Sequence, residues 1–194
     1  MHSALLAPPA CGVLDIGGAC VGVVNCLIVA DALIAARKAE CLLIASADVH
    51  SRLLAPGRVP GEFGGLFGDG ASAFVLVSSP GSVATANEPA QAGAAGIAPY
   101  CMLAGLGSCD GRFASAIEVK PGAEGAIELQ FDGEALARAA VDRMNRILGD
   151  LELAAGRSRD AASAFAIHQP NPRIVEMFLQ RAKVPAAKVP AVTR

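Results

Sequence analysis

The chain has 194 residues, 53% of them apolar and 18% charged, with a formal net charge of −2. Such a composition is too apolar for a disordered chain, and the charge excludes a globally basic nucleic-acid binder. Six cysteines without a CxxC pair, mostly inside apolar runs, form neither a disulfide nor a zinc framework and favour a reducing cytoplasm.

The length fits one large domain or one and a half smaller ones, and the apolar surplus predicts surface destined for a partner or for missing parts of the same protein. In chain order, residues 1–10 lack the basic residues of a secretory leader. Cys11 to Ile16 reads as a buried strand, Gly17 and Gly18 as a tight turn, and Cys20 as the opening of a long apolar helix to about Ala36. That helix falls short of the ~20 apolar residues of a membrane span and contains Asn25 and Asp31, so it reads as a buried helix. Cys41 to Ala47 is continuous and apolar, the pattern of a parallel central strand buried on both faces. Strand, helix and strand make a βαβ unit with a right-handed crossover.

Residues 48–65, rich in Pro and Gly, read as a long loop, and Gly68-Asp69-Gly70 as a turn into a strand over Ser72 to Val77. Residues 78–126 predict surface excursions and one strand. Ile127 to Phe131 alternates as a strand. After Asp132, the spacing of Leu136, Ala140, Met144, Ile147 and Leu151 predicts an amphipathic helix, with Arg138, Asp142, Arg143, Arg146 and Asp150 on its other sides. Ser163 to Ile167 is a further short strand running into His168. Asn171 is a good N-cap and Pro172 a good first residue for a helix from Arg173 to about Lys183. Lys188 to Arg194 reads as the beginning of another strand.

The candidate chemistry lies at Cys20 and His168. A thiol at a helix N-terminus faces unpaired amides and the positive dipole end, a setting that favours the nucleophilic thiolate. Free cysteine is also among the most commonly buried residue types, and Cys11, Cys26, Cys41, Cys101 and Cys109 read as packing residues. His168 ends a strand just before a helix, as Cys20 does, at the sheet edge where α/β proteins bind ligands. His2 is terminal, and His50, in a loop beside Asp48 and Arg52, reads as a structural histidine. These residues make a poor metal site, so no metal is expected.

Three motifs occur in order: Asp15-Ile16-Gly17-Gly18-Ala19-Cys20-Val21-Gly22, Phe67-Gly68-Asp69-Gly70-Ala71, and His168-Gln169-Pro170-Asn171-Pro172-Arg173. Together, over nearly the whole chain, they resemble the β-ketoacyl-[acyl carrier protein] synthase III group of thiolase-fold condensing enzymes. The resemblance implies an α/β, thiolase-like fold in α-β-α-β-α layers, present in part. Residues 1–79 would be the C-terminal part of the first half and 80–194 the N-terminal part of the second. It implies a decarboxylating condensation of an acyl-CoA primer with malonyl carrier protein, in fatty-acid or polyketide biosynthesis. Cys20 would be the acyl-accepting nucleophile and His168 the donor to the enolate. Asn171 would contact pantetheine, Arg58 would lie beside the CoA nucleotide, and Arg173 would dock acidic carrier protein. Arg181, Lys183, Lys188 and Arg194 add to a basic bias beside it. No permanently bound cofactor is implied, only CoA and phosphopantetheine as substrates. A homodimer is expected, with no nucleic-acid or membrane partner. The family's asparagine and oxyanion glycines do not occur here, so the chain reads as an internal fragment with little condensing activity of its own. Two alternatives stay open: an acyltransferase or thioesterase-like relative that does not decarboxylate, and an inactive truncated chain.

Overall fold

The computed structural model describes residues 11–52, 67–78, 102–121 and 127–190. Its first unit is built on helix α1 (Gly22–Ala35) and the antiparallel pair β1 (Cys41–Asp48) and β2 (Gly70–Val77), in register from Cys41 opposite Val77 to Asp48 opposite Gly70. Arg37, in the left-handed region at φ 55°, ends α1, and the Lys38 N–H reaches back to the Leu33 carbonyl. The chain then turns directly into β1.

The β1–β2 pair corrects the expected parallel strand buried on both sides. Along β1 burial alternates: Leu42, Ile44 and Ser46 are shielded, Ile44 most of all, while Leu43 is 52% exposed. Opposite Leu43 on the bare face stands Val75, 66% exposed. α1 packs against β1 and is itself only half covered, with Ala30 its single buried residue. A continuous apolar run therefore did not signal two covered faces. Periodicity alone cannot separate a doubly covered strand from one whose second face is apolar and bare.

Cys11 to Ile16 is not a strand: Val13 and Leu14 are 61% and 68% exposed, and no ladder engages the segment among the described residues. A strand exists only through its partner, so an apolar run without one stays irregular. The cysteines expected as core residues are not buried either. Cys11, Cys41 and Cys109 are exposed free thiols, Cys26 is half-buried, and Cys101 lies outside the described residues.

The second unit pairs β3 (Ile117–Pro121) with β4 (Ile127–Phe131), antiparallel, followed by α2 (Gly133–Ala155) and α3 (Pro172–Ala182). Asp132 caps α2 by accepting from the Ala135 N–H at 3.0 Å, and Gly156 closes it in the left-handed region. The expected face of α2 is the half-buried one. Arg143 departs from it, reaching back to the Asp110 carboxylate, which also binds Arg112 at 2.7 Å. Gly105 and Gly107 lie against Ile28 of α1, close enough that a methyl on Gly105 would sit 3.2 Å from it.

α2 and α3 share the main core. Phe178 (2% exposed), Ala182 and Val184 are buried, with Met144, Leu148, Phe165, Ile167, Leu179 and Val189 packed around them. Glu152 and Arg159 form an ion pair at the end of α2, and Arg159 donates onward to the Ala182 carbonyl. The expected strand over Ser163 to Ile167 is irregular backbone with, among the described residues, one cross-link, Phe165 N–H to the Lys188 carbonyl at 2.8 Å. Lys188 lies in a short 3₁₀ turn, not a strand. Phe165 and Ile167 supply packing, but a single hydrogen bond makes no ladder.

Candidate functional site

Cys20 does not open α1. It lies in a 3₁₀ turn, Ala19–Val21, that runs directly into the α-helix at Gly22. Two consecutive unusual conformations lead into it, Gly18 at φ 152° and Ala19 at φ 46°. For an alanine the left-handed region costs about 1–2 kcal/mol, so the rest of the turn must hold it there. Holding it are the Val21 N–H to the Gly18 carbonyl at 3.0 Å and Asn25 Nδ2 to the Gly17 carbonyl at 3.4 Å. The thiol so presented is exposed. The N-cap position of α1 is Val21, with no side-chain cap and no acidic residue in the first turn. No carboxylate of that first turn competes with an anion at the positive end of the helix.

The thiol borders an open cavity of about 220 Å³. Ala19, Cys20 and Val23 form one wall; Ser46 and Asp48 at the end of β1 and Gly70, Ala71 and Ser72 at the start of β2 form the other. Ser46 and Ser72 are cross-strand partners. Sequence reasoning missed both, because a serine within an apolar run carries no local signal of what it faces.

Beyond the cavity the two strands are tied together. Asp69 accepts from the Ser51 hydroxyl at 2.6 Å and from the Ser51 N–H at 2.9 Å. The Ser51 hydroxyl above all, then its N–H and the neighbouring His50, hold the Asp69 carboxyl below its ordinary range. His50 Nδ1 donates to the Gly68 carbonyl at 3.0 Å, and its ring lies 5.1 Å from that of Phe67. His50 is thus structural, as expected, and the Gly-Asp-Gly turn is a clasp as well as a bend.

His168 is exposed, set between Ile167, which packs on the α2–α3 core, and Gln169, whose Nε2 donates to the Pro190 carbonyl at 2.6 Å. It is not among the residues lining the cavity at Cys20. Asn171 is the N-cap of α3, its Oδ1 accepting from the Ile174 N–H at 3.0 Å. Arg173, exposed in the first turn of α3, makes no ion pair among the described residues. One member of the basic group around it, Arg181, is in an ion pair. Arg181 pairs with Asp142 at 2.8 Å, Lys188 donates to the Asp160 carbonyl at 2.9 Å, and Arg194, like Arg58, lies outside the described residues. Among the described residues no group of three or more His, Cys, Asp or Glu is placed to hold a metal, and no helix is long and apolar enough to cross a membrane.

Residues 14–92 match the family described as 3-Oxoacyl-[acyl-carrier-protein (ACP)] synthase III. Over 178 residues, 90% of this chain, the sequence is 32% identical to the β-ketoacyl-[acyl-carrier-protein] synthase III of Bordetella petrii, covering 49% of that protein. The corresponding enzyme of Rhodospirillum rubrum is 30% identical over 189 residues, 93% of this chain and 52% of the relative. The chain is similar in sequence to the β-ketoacyl-[acyl-carrier-protein] synthases III. Among solved structures, the 3-oxoacyl-[acyl-carrier-protein] synthase III of Aquifex aeolicus superposes with a TM-score of 0.76 at 25% identity, over 97% of this chain and 53% of that one. The Pseudomonas aeruginosa enzyme superposes at 0.69 with 26% identity, over 88% and 48%. The fold is accordingly the thiolase-like fold of these synthases, present in part. The chain spans about half the length of the synthase III relatives it matches.

Proposed function

We propose that this chain carries the acyl-accepting part of a β-ketoacyl-[acyl-carrier-protein] synthase III-like condensing enzyme. The observation that carries the proposal is the exposed Cys20 thiol, presented by a strained turn at the uncapped start of α1 and bordering a cavity. The Cys20 thiolate attacks the thioester carbonyl of acyl-CoA, and CoA leaves as its thiolate. A malonyl thioester on carrier protein then loses CO₂. The resulting enolate carbon attacks the acyl-Cys20 carbonyl, releases the β-ketoacyl product and returns the thiolate. His168 donates a hydrogen bond to the enolate oxygen, where one preorganised donor is worth about 3–4 kcal/mol.

Asn171 is proposed to contact the pantetheine arm, Arg173 to dock the acidic carrier protein, and Arg58 to lie beside the CoA nucleotide. The Arg173 guanidinium, exposed and in no ion pair among the described residues, supports its part. The bare Leu43 and Val75 support association with a second subunit, and a homodimer in the cytoplasm is part of the proposal.

Incubation with acetyl-CoA should add one acetyl group to the peptide containing Cys20, and C20A should abolish it. In the full-length parent protein, release of CO₂ from malonyl carrier protein should depend on His168 and vanish in H168A. Acylation without any CO₂ release would favour the non-decarboxylating acyltransferase reading, which is also consistent with the absence of His168 from the cavity wall. Failure of Cys20 to acylate would sink both.

A further inference from the structure

The Asn25 side chain is half-buried on the fourth residue of α1 and points back toward the turn that presents Cys20. An asparagine at the N-cap itself would place its oxygen over the first helical N–H groups and occupy the anion site. Here that place belongs to Val21, and Asn25 uses its amide donor on the Gly17 carbonyl instead. The same Nδ2 closes over Gly18. A methyl on Gly18 would lie 2.5 Å from it, and 3.3 Å from both the nitrogen and the Cα of Gly22. Gly18 is therefore held between the Asn25 amide and the helix start, in a backbone conformation that side chains rarely adopt.

We infer that Asn25 is a positioning residue for the Cys20 thiol: it braces the Gly17-Gly18-Ala19 turn from the helix side and leaves the helix N-terminus open. The inference rests on Cys20 being the nucleophile. It adds the residue that keeps a strained, exposed turn in one geometry, since backbone strain persists only where surrounding contacts over-determine it.

The test is alkylation of the folded 194-residue chain by iodoacetamide at neutral pH, resolved by peptide mass spectrometry, with Cys26 as internal reference. N25L keeps the size of the side chain but removes the donor, and should lower the Cys20-to-Cys26 labelling ratio roughly fivefold to tenfold. N25Q, which keeps an amide donor, should restore at least half of the loss. Should N25L fail to fold by far-UV circular dichroism, N25A carries the same comparison. A second arm uses Gly18: G18A should lower the ratio, and N25A in the same chain should recover part of it by removing the atom that the new methyl meets. An unchanged ratio in the folded leucine or alanine variant, or strictly additive effects of G18A and N25A, overturns the inference. If Cys20 of the unaltered chain labels no faster than Cys26, Cys41 and Cys109, the nucleophile reading itself fails, and the two failures are told apart.

Discussion

The substitution F178A probes the core that carries the His168 segment. Phe178 is 2% exposed and sits at the centre of the α2–α3 contact, with Phe165 and Ile167 of the His168 segment packed on the same cluster. A phenylalanine buries about 150–250 Å², which at ~25 cal/mol/Å² gives roughly 4–6 kcal/mol against an extended chain. Compaction of real unfolded chains lowers that by about 10–40%, to about 2–5 kcal/mol, overlapping the range of about 3–5 kcal/mol measured for Phe→Ala in cores. Several of the surrounding side chains are only half-buried, so the site can partly collapse, and the lower end, about 3 kcal/mol, is expected. Urea unfolding followed by far-UV circular dichroism should show the midpoint falling with an unchanged slope, and F178L should lose clearly less than F178A. A loss under about 1 kcal/mol, or equal losses for the two variants, would refute the placement of the core.

N171A should cost about 1 kcal/mol by exposing the Ile174 N–H, whereas N171D keeps the accepting oxygen and should melt like the unaltered chain. If Asn171 also binds pantetheine through its amide, N171D should raise KM for acyl-CoA without lowering the melting temperature. S51A should move the Asp69 titration upward by removing the largest of the contacts that hold it low, read by carboxyl NMR; an unchanged titration would discount the clasp. Because the folded Asp69 carboxyl is depressed, its contribution is present above the unfolded value and lost only as pH falls through the folded one. Hydrogen exchange at the Ser51 amide, corrected for intrinsic rate, should therefore stay protected at neutral pH and open in acid. R173E should raise KM for malonyl carrier protein more than for malonyl-CoA, and an equal rise for both would argue against docking at α3.

Much of the helical framework was legible because its signals are local. A cap acts within three residues, so Asp132 and Asn171 marked the starts of α2 and α3 correctly, and the 3.6-residue period identified the buried face of α2. The order of the cysteine, Gly-Asp-Gly and histidine motifs likewise pointed to the synthase III relatives. What could not be read was which segments find partners. Cys11 to Ile16 and Ser163 to Ile167 are as apolar as the strands that formed, yet lack a ladder among the described residues. The chain from 41 to 48 pairs antiparallel with 70 to 77, where the pattern suggested a parallel crossover from 11 to 16.

The sequence by itself determined the helices that terminate on their own caps, the glycine turn before Cys20 and the family to which these motifs point. Only the tertiary structure decided that the turn is strained at Ala19, that Asn25 reaches back to Gly17, and that Ser51 meets Asp69 eighteen residues away. The division has one cause. Caps and helical periods are satisfied within a few residues, whereas ladders and side-chain braces depend on which distant backbone groups the fold brings within hydrogen-bonding reach.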